Sequence, residues 1–426
     1  MPVPNFSIPD DVFEAVAAAY GTPLHLYDEE GIRQTARRVK QAFGWAPDFR
    51  EYFAVKALPT PGILRILKEE GCGVDCASLT ELRLAEALGF SGGEIMFSAN
   101  NVPPSEFLLA SRLGSCINLD DVTHIPLLRD NGGVPKEVCL RYNPGGTFSE
   151  GNAIMGEPGE AKFGMTRPQL AEGLRQLKDL GTERFGLHAF LSSNTIDGTY
   201  YPSLARLLMG TGRELMRETG VELSFINLSG GIGIPYLPEE APVDLEAIGQ
   251  GVREVYERRP VWDGIRRVAL KTELGRYMTG PHGWLVTRVI HEKRIHKRYL
   301  GLDASACDLM RPAMYGAYHH ITLPGKEGLP HREKVDVVGS LCENNDKFAV
   351  DRLLPPAEVG DLLVIHDTGA HGLSMGYNYN GKLRCKEVLC RSDGSFQLIR
   401  RAETDADYFA TLDGDPAWEK LVGKRG

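Results

Sequence analysis

Short apolar runs alternate with amphipathic stretches of helical length between residues 24 and 280. Eight of these runs have the length and β-branched character of strands, at 51–55, 72–76, 94–98, 115–118, 137–141, 184–190, 223–228 and 267–272. Between them, apolar residues recur at helical spacing, as at Ile63, Leu64 and Leu67. Strands that alternate with helices predict βα units around a parallel sheet, and eight such units close a TIM barrel. We therefore predict a (β/α)8 barrel over residues 26–280.

Beyond residue 280 the helical spacing fades. The apolar runs at 284–290, 334–341, 361–366 and 396–400 are separated by Gly, Pro and Asp turns, which is typical of antiparallel strands. This pattern predicts a C-terminal antiparallel β domain, sandwich-like or barrel-like, over residues 281–426. Residues 1–25 fit neither pattern, and they can join the β domain. The predicted fold class is thus α/β, a TIM-like barrel followed by a β domain.

Composition narrows the possible partners. The 426 residues include 48 basic and 57 acidic side chains, so the formal net charge is −9, which argues against a nucleic-acid partner. The one basic run, residues 291–298, contains a Glu and no aromatic residue, and we interpret it as a solvated hairpin. No stretch of 18 apolar residues occurs, and the first residues lack the pattern of a signal peptide. We expect a cytoplasmic protein without a membrane partner.

Two other kinds of site are disfavoured. The eight cysteines form no CxxC pair, and His366, Asp367 and His371 lack a further carboxylate at helical spacing, so we expect no metal. Residues 372–376 spell GxSxG, the nucleophile elbow of serine hydrolases. That fold needs an Asp and then a His after the serine, and no histidine follows Ser374.

The chemistry is instead expected at the carboxyl ends of the barrel strands, where such folds carry their active sites. Lys56 directly follows the strand at 51–55, and an amine there can condense with an aldehyde. Glycine-rich turns follow the last two strands, at 229–233 and 273–276, where barrels commonly bind phosphate. Taken alone, Lys56 is more simply explained as a solvent-exposed lysine, and each glycine-rich segment as a tight turn. Together they predict pyridoxal 5'-phosphate, with Glu273 at its ring nitrogen.

At these residues the chain resembles a known family, the barrel-type, fold type III pyridoxal-phosphate-dependent decarboxylases, and within it the diaminopimelate decarboxylases. The resemblance covers almost the whole chain. It is carried by ordered motifs: YFAVKA at 52–57, VDCAS at 74–78, LTEL at 79–82, LRYNPG at 140–145, KFG at 162–164, ELGR at 273–276, DLMRP at 308–312, MYGAYH at 314–319, LCE at 341–343, SM at 374–375 and NYN at 378–380.

The resemblance implies roles for individual residues. It implies a cofactor attached covalently to Lys56 and a thiol, Cys342, that returns a proton to the substrate across the interface of a homodimer. The expected contacts to the cofactor come from Phe190, Ser193, Gly230, Gly231, Glu273, Gly275, Arg276 and His371. The expected contacts to the far end of the substrate come from Arg276, Arg311, Tyr315, Glu343 and His371.

The implied reaction is decarboxylation of meso-2,6-diaminopimelate at its D centre, which yields L-lysine and CO2 in the last step of lysine biosynthesis. An alternative is a related decarboxylase acting on another amino acid with a charged tail, such as D-lysine, D-ornithine or a carboxylated polyamine or siderophore precursor. A non-catalytic binding protein is disfavoured, because the β domain and the Cys342-Glu343 pair are both present.

Two positions depart from the family pattern. Phe190 stands where the family has a histidine that stacks on the cofactor ring, and His371 stands where it usually has a tyrosine. An aromatic face can still stack, but the hydrogen bonding of an imidazole is lost at residue 190. We hypothesise that the two changes compensate, with Phe190 supplying the stack and His371 a polar contact.

This hypothesis predicts that His371→Ala lowers both cofactor affinity and turnover, because no other group replaces the polar contact. Titration of the cofactor-free protein with pyridoxal 5'-phosphate and assay of CO2 release measure the two effects. His296→Ala, in the basic run, is the control. Unchanged affinity and turnover in His371→Ala would show that the hypothesis is wrong.

Overall fold

The computed structural model describes residues 8–148, 157–258, 268–330 and 333–412. These residues form two compact units. One comprises Arg33–Pro235 and Ala241–Met278, and the other comprises the described residues up to Ile32, Tyr236–Glu240, and those from Thr279 onward. The described chain begins with helix α1 (Asp10–Tyr20), strand β1 (Leu24–Asp28) and helix α2 (Glu29–Phe43).

The first unit is a closed barrel of eight parallel strands, each paired with the next and the last with the first. Its strands are β2 (Arg50–Ala54), β3 (Gly73–Cys76), β4 (Ile95–Ser98), β5 (Cys116–Leu119), β6 (Glu137–Arg141), β7 (Arg184–His188), β8 (Leu223–Asn227) and β9 (Ala269–Thr272). All eight lie on the apolar runs identified in the sequence, although residue 267 of the last run lies outside the described residues. The predicted fold class is confirmed.

A helix follows each of these eight strands, as βα units require. They are α3 (Pro61–Glu69), α4 (Leu79–Ala87), α5 (Pro104–Arg112), α6 (His124–Asn131), α7 (Arg167–Asp179), α8 (Tyr200–Thr219), α9 (Leu245–Glu257) and the short α10 (Arg276–Thr279). Their starts are encoded locally: α3, α5 and α7 have proline in the first turn, and the Ser78 hydroxyl accepts a hydrogen bond from the Glu81 N–H at the start of α4. Gly220 ends α8 in the left-handed conformation.

The second unit is built on one large sheet, in which the strand order is β14-β13-β11-β10-β1-β16-β17 and β15 pairs with both β10 and β12. The new strands are β10 (Gly283–Arg294), β11 (Arg298–Leu302), β12 (Ile321–Thr322), β13 (Glu333–Val338), β14 (Lys347–Leu354), β15 (Leu362–Ile365), β16 (Lys386–Cys390) and β17 (Phe396–Arg400). Helices α11 (Arg311–Tyr315) and α12 (Asp405–Tyr408) complete it.

Most pairs in this sheet are antiparallel, but β1–β16 and β11–β13 are parallel. Strand β1 lies inside the sheet between β10 and β16, so the N-terminal strand is part of the second unit's core. Phe13 and Val16 of α1 pack with Leu26 and Trp284 in that core. The basic run forms the β10–β11 turn, an antiparallel hairpin.

Within the part of the chain that the structure describes, no helix combines the length and the apolar character needed to cross a membrane.

Barrel packing leaves no room for a side chain at Gly186. Gly186 of β7 pairs with Phe225 of β8, and a Cβ added at Gly186 would lie 2.0 Å from the Phe225 ring. Gly186→Ala should therefore lower the free energy of unfolding by about 1 to 3 kcal/mol through overpacking. Urea denaturation measures this change.

Gly210→Ala is the matched control, because Gly210 lies within α8 and a Cβ there would have no atom within 4 Å. That change should raise the free energy of unfolding by about 0.5 to 1 kcal/mol, since alanine loses less backbone entropy than glycine in a helix. Equal effects of the two substitutions would contradict the packing argument.

Candidate active site

The carboxyl ends of the barrel strands carry a group of polar side chains around one exposed amine. Lys56 lies in a 3-10 turn directly after β2, between the buried residues Val55 and Ala57. Its Nζ atom lies 5.8 Å from the centroid of the Phe190 ring, which follows β7. The turn thus presents a nucleophilic amine beside an aromatic face.

Glu273 follows β9 and is the most extensively hydrogen-bonded acid of this group. It is buried, and its carboxylate accepts hydrogen bonds from Asn227 Nδ2 at 2.6 Å, Ser229 Oγ at 2.9 Å and His188 Nε2 at 3.2 Å. Burial alone raises the pKa of this carboxyl. The charge and hydrogen bond of His188 and the bonds from Asn227 and Ser229 outweigh burial and hold the pKa at about 2. Glu273 is therefore ionised at neutral pH.

A second acid, Asp75 on β3, is buried in the same group. Burial first, and then the negative charge of Glu273, raise the pKa of Asp75 well above its ordinary value. Among the described residues, Asp75 Oδ1 and Asn118 Oδ1 are buried without a hydrogen-bond partner. Buried polar atoms usually have partners, so these two oxygens mark a place where another polar group is expected.

The two loops that contain Ser193 and the 229–233 glycines are joined by their backbones. The Thr195 N–H donates to the Gly231 carbonyl at 2.9 Å, and the Gly233 N–H donates to the Thr195 carbonyl at 2.7 Å. Gly231 has a φ of +116°, and a Cβ there would lie 2.6 Å from the Tyr200 ring. Only glycine suits this backbone, whose amides can approach a bound anion closely.

Two further glycines bring these turns against the rest of the site. A Cβ at Gly230 would lie 2.7 Å from the Glu273 carbonyl oxygen. A Cβ at Gly275 would lie 2.9 Å from Ala57 Cβ, beside Lys56. Arg276, the first residue of α10, is half-buried. The barrel thus brings together Lys56, Phe190, Ser193, Gly230, Gly231, Glu273, Gly275 and Arg276, eight of the predicted site residues.

The remaining predicted residues lie in the second unit. Arg311 is buried there, with Nη1 2.8 Å from His319 Nε2 and its guanidinium 4.7 Å from the centroid of the Tyr236 ring. His319 Nδ1 lies 2.8 Å from the His366 carbonyl, which can only accept, so Nδ1 carries the proton and Nε2 accepts from Arg311. His319 is thus a neutral imidazole that orients the guanidinium.

The other four residues of that unit are more accessible. Tyr315 is 57% exposed, and Cys342 and Glu343 are exposed on the loop after β13. The Cys342 N–H donates to Asn380 Oδ1 at 2.6 Å, which anchors the loop that carries the thiol. His371 is half-buried in a left-handed conformation with φ of 56°.

Several members of the barrel group were not identified from sequence. They are Asp75, Ser98, Asn118, His188, Asn227 and Ser229. Four of them hydrogen-bond Glu273, and they are His188, Asn227, Ser229 and, at 3.5 Å, Ser98. A usable signal was present because His188 and Asn227 are the last residues of their strands. Polar residues that end barrel strands are candidates for the site whatever their type.

The barrel group fits a pyridoxal-type cofactor. An ionised, buried carboxylate suits a protonated ring nitrogen, glycine amides suit a phosphate, and the amine of Lys56 suits an aldehyde. No metal is needed for this fit, and the described residues contain no cluster of three or more His, Cys, Asp or Glu able to hold one.

Comparison with known proteins identifies the family. A model of the pyridoxal-dependent decarboxylase family, pyridoxal binding domain, matches residues 29–280. Protein TabA of Pseudomonas amygdali pv. tabaci is 42% identical over 405 residues, 95% of this chain and 94% of that protein. Diaminopimelate decarboxylase of Methanothermobacter thermautotrophicus is 36% identical, with 92% of each chain covered.

A solved structure of diaminopimelate decarboxylase from M. jannaschii in co-complex with L-lysine matches with a TM-score of 0.87 at 29% identity, covering 96% of this chain and 95% of that one. The chain belongs to the fold type III pyridoxal-phosphate-dependent decarboxylases. It is a carboxy-lyase that uses pyridoxal 5'-phosphate.

The acidity of Asp367 in the second unit gives a test of the local electrostatics. Burial raises its pKa from an ordinary value of 3.8 to about 7, although the charge of Arg311 opposes the shift. The folded protein therefore loses stability as the pH rises from about 4 to about 7. Asp367→Asn removes this titration, and asparagine tolerates the φ of 59°.

The free energy of unfolding of Asp367→Asn, relative to that of the wild type, should rise across that pH range by at most about 4 kcal/mol and stay constant above it. Urea denaturation at several pH values between 4 and 8.5 measures the difference. Asp351→Asn is the matched control, because Asp351 is exposed and also has a positive φ. A difference that does not vary with pH would contradict the burial argument.

Proposed function

We propose that the protein decarboxylates meso-2,6-diaminopimelate to L-lysine and CO2. The observation that carries this proposal is the similarity to diaminopimelate decarboxylases, which extends through both units and over more than nine tenths of each chain. The solved relative from M. jannaschii is in co-complex with L-lysine, the product of the proposed reaction. The chain would thus act in the last step of lysine biosynthesis.

At the cofactor, each barrel residue has a role that follows from its chemistry. Lys56 would hold the cofactor covalently, and Glu273, kept ionised by three donors, would keep the proton on the ring nitrogen. When bound, the cofactor supplies an electron sink for the pair left behind when CO2 departs. Phe190, 5.8 Å from the Lys56 amine, would cover the ring face.

The phosphate would be held by neutral donors and by one cation. Ser193 and the amides of Gly230, Gly231 and Gly275 would supply hydrogen bonds, with no Cβ at the glycines to block the approach. Arg276 would add the charge that offsets the dianion.

Arg311, Tyr315, Glu343 and His371, with Arg276, would bind the far end of the substrate. Neutral His319 and the Tyr236 ring orient the Arg311 guanidinium without neutralising it, so its charge is directed to the substrate carboxylate. Tyr315 and His371 would supply polar contacts, and Glu343 would accept from the distal ammonium. A second carboxylate distinguishes diaminopimelate from lysine and ornithine.

Protonation at the substrate Cα completes the reaction, and we assign this proton to the Cys342 thiol. Cys342 and Glu343 are exposed on their loop, as expected of residues that complete the site of a second protomer in a homodimer. The bond from the Cys342 N–H to Asn380 holds the loop in place.

An alternative substrate is another amino acid with a charged tail. Two observations favour it: the relative with 42% identity is named Protein TabA rather than diaminopimelate decarboxylase, and Phe190 and His371 change the contacts at the cofactor. D-Lysine, D-ornithine and carboxylated polyamine or siderophore precursors remain the candidates.

A substrate panel discriminates the two proposals. CO2 release from meso-diaminopimelate should exceed release from D-lysine, L-lysine, D-ornithine and L-ornithine. Arg311→Met should lower kcat/KM for meso-diaminopimelate by about 10- to 100-fold, which corresponds to the loss of a hydrogen-bonded charge pair. Steady-state assays measure the effect.

Arg352→Met is the matched control, because Arg352 also contacts residue 319, through its carbonyl at 2.9 Å, and stacks on Tyr318. It should change kcat/KM by less than about threefold. Preference for an amino acid with a single carboxylate, or equal losses in the two arginine variants, would refute the proposal for diaminopimelate.

A further inference from the structure

A buried acid that the proposed mechanism does not use lies next to Glu273. Glu51, on β2, is 2% exposed, and its two carboxyl oxygens bond to the residues on either side of Glu273. Oε1 accepts from the Leu274 N–H at 2.7 Å, and Oε2 bonds to the Thr272 hydroxyl. One side chain therefore acts as a clamp that bridges the Thr272 hydroxyl before Glu273 and the Leu274 backbone N–H after it.

The position of this clamp in the barrel explains why it is needed. Strand β2 pairs with β9 at two positions, Arg50 with Lys271 and Glu51 with Thr272. Beyond them, the Ala54 N–H donates to the Leu274 carbonyl at 3.1 Å. At this seam the strand that leads to Lys56 meets the strand that leads to Glu273. The Glu51 carboxyl group bonds across the seam to Thr272 and Leu274.

The charge state of Glu51 suits the arrangement. Burial, with smaller contributions from the charges of Glu273 and Asp75, raises the pKa of Glu51 well above its ordinary value, although the bonds from Thr272 and Leu274 oppose the shift. A protonated carboxyl can accept from the Leu274 N–H and share its own proton with the Thr272 hydroxyl. It does so without placing a second negative charge beside Glu273.

We propose that Glu51 is a positioning residue that fixes the orientation of Glu273 toward the ring nitrogen of the cofactor, through its bonds to Thr272 and Leu274. This inference rests on the role proposed for Glu273. A carboxylate with three donors is held tightly only if its backbone is also held, because a small shift misaligns every bond at once. The Glu273 N–H donates to the Ser229 carbonyl at 2.7 Å, and Glu51 adds a second constraint from the strand that leads to Lys56.

Three substitutions test the inference in the full-length protein. Glu51→Met removes both bonds at similar volume, Thr272→Val removes one, and Glu51→Gln keeps both as a neutral isostere. Cofactor affinity is measured by titrating cofactor-free protein with pyridoxal 5'-phosphate, and ring geometry by the circular dichroism of the bound cofactor. Glu51→Met should weaken cofactor binding by about tenfold or more and alter the dichroism.

Thr272→Val should weaken binding by a smaller factor, and Glu51→Gln should stay within about threefold of the wild type with an unchanged dichroism band. Thr182→Val is the matched control, because Thr182 is a buried threonine whose hydroxyl bonds to the Pro135 carbonyl before β7, at the amino end of the strands. It should lower the melting temperature and leave cofactor affinity and dichroism unchanged.

Several results would overturn the inference. One is a folded Glu51→Met protein with wild-type affinity and dichroism, and another is a Glu51→Gln protein as impaired as Glu51→Met. If Glu51→Met does not fold, Thr272→Val decides, because wild-type affinity and dichroism in that variant would also refute the clamp.

Glu273→Gln, measured in the same way, separates this inference from the proposed function. If Glu273→Gln leaves affinity and dichroism unchanged, the role proposed for Glu273 is wrong. If it alters them while the Glu51 and Thr272 variants do not, only the clamp is wrong. The substrate panel is independent of both results, because cofactor binding is measured without substrate.

Discussion

The barrel site depends on keeping one buried carboxylate ionised. Moving Glu273 out of water favours its neutral form, yet the charge of His188 and the hydrogen bonds from His188, Asn227 and Ser229 reverse this preference and hold its pKa at about 2. Those donors come from β7 and from the chain around the end of β8, so the charge is stable only when the barrel is closed. The role proposed for Glu273 at the cofactor nitrogen depends on this charge.

The same closure makes the neighbouring acids behave differently. Glu51 and Asp75 lie in the same low-dielectric interior, but their burial, with a smaller contribution from the charge on Glu273, raises their pKa values. Three carboxyl groups that would have similar pKa values in water thus differ in the folded protein: Glu273 is ionised, and Glu51 and Asp75 favour the neutral form. The division follows from the charge of His188 beside Glu273 and from the hydrogen bonds that Glu273 receives, not from residue type.

The sequence predicted the barrel strands more completely than the residues of the site. All eight barrel strands were identified from local runs of apolar residues, and Lys56, Glu273 and the glycine turns from their places after strands. The place of β1 within the second unit's sheet was not predicted, because its pairing with β10 and β16 joins segments more than 250 residues apart. His188 and Asn227 were missed although each ends a barrel strand, since their partner Glu273 becomes evident only from the closed barrel.

The sequence by itself determined the periodicity of the elements, the amine after the second strand and the glycines that a close-packed turn requires, because each depends on local sterics and hydrophobic spacing. Only the tertiary structure decided which acid is charged, that Glu51 bridges the two sides of Glu273, and that neutral His319 orients Arg311. These properties depend on burial and on donors contributed from distant strands. Electrostatic energies in a protein interior are set by such three-dimensional surroundings.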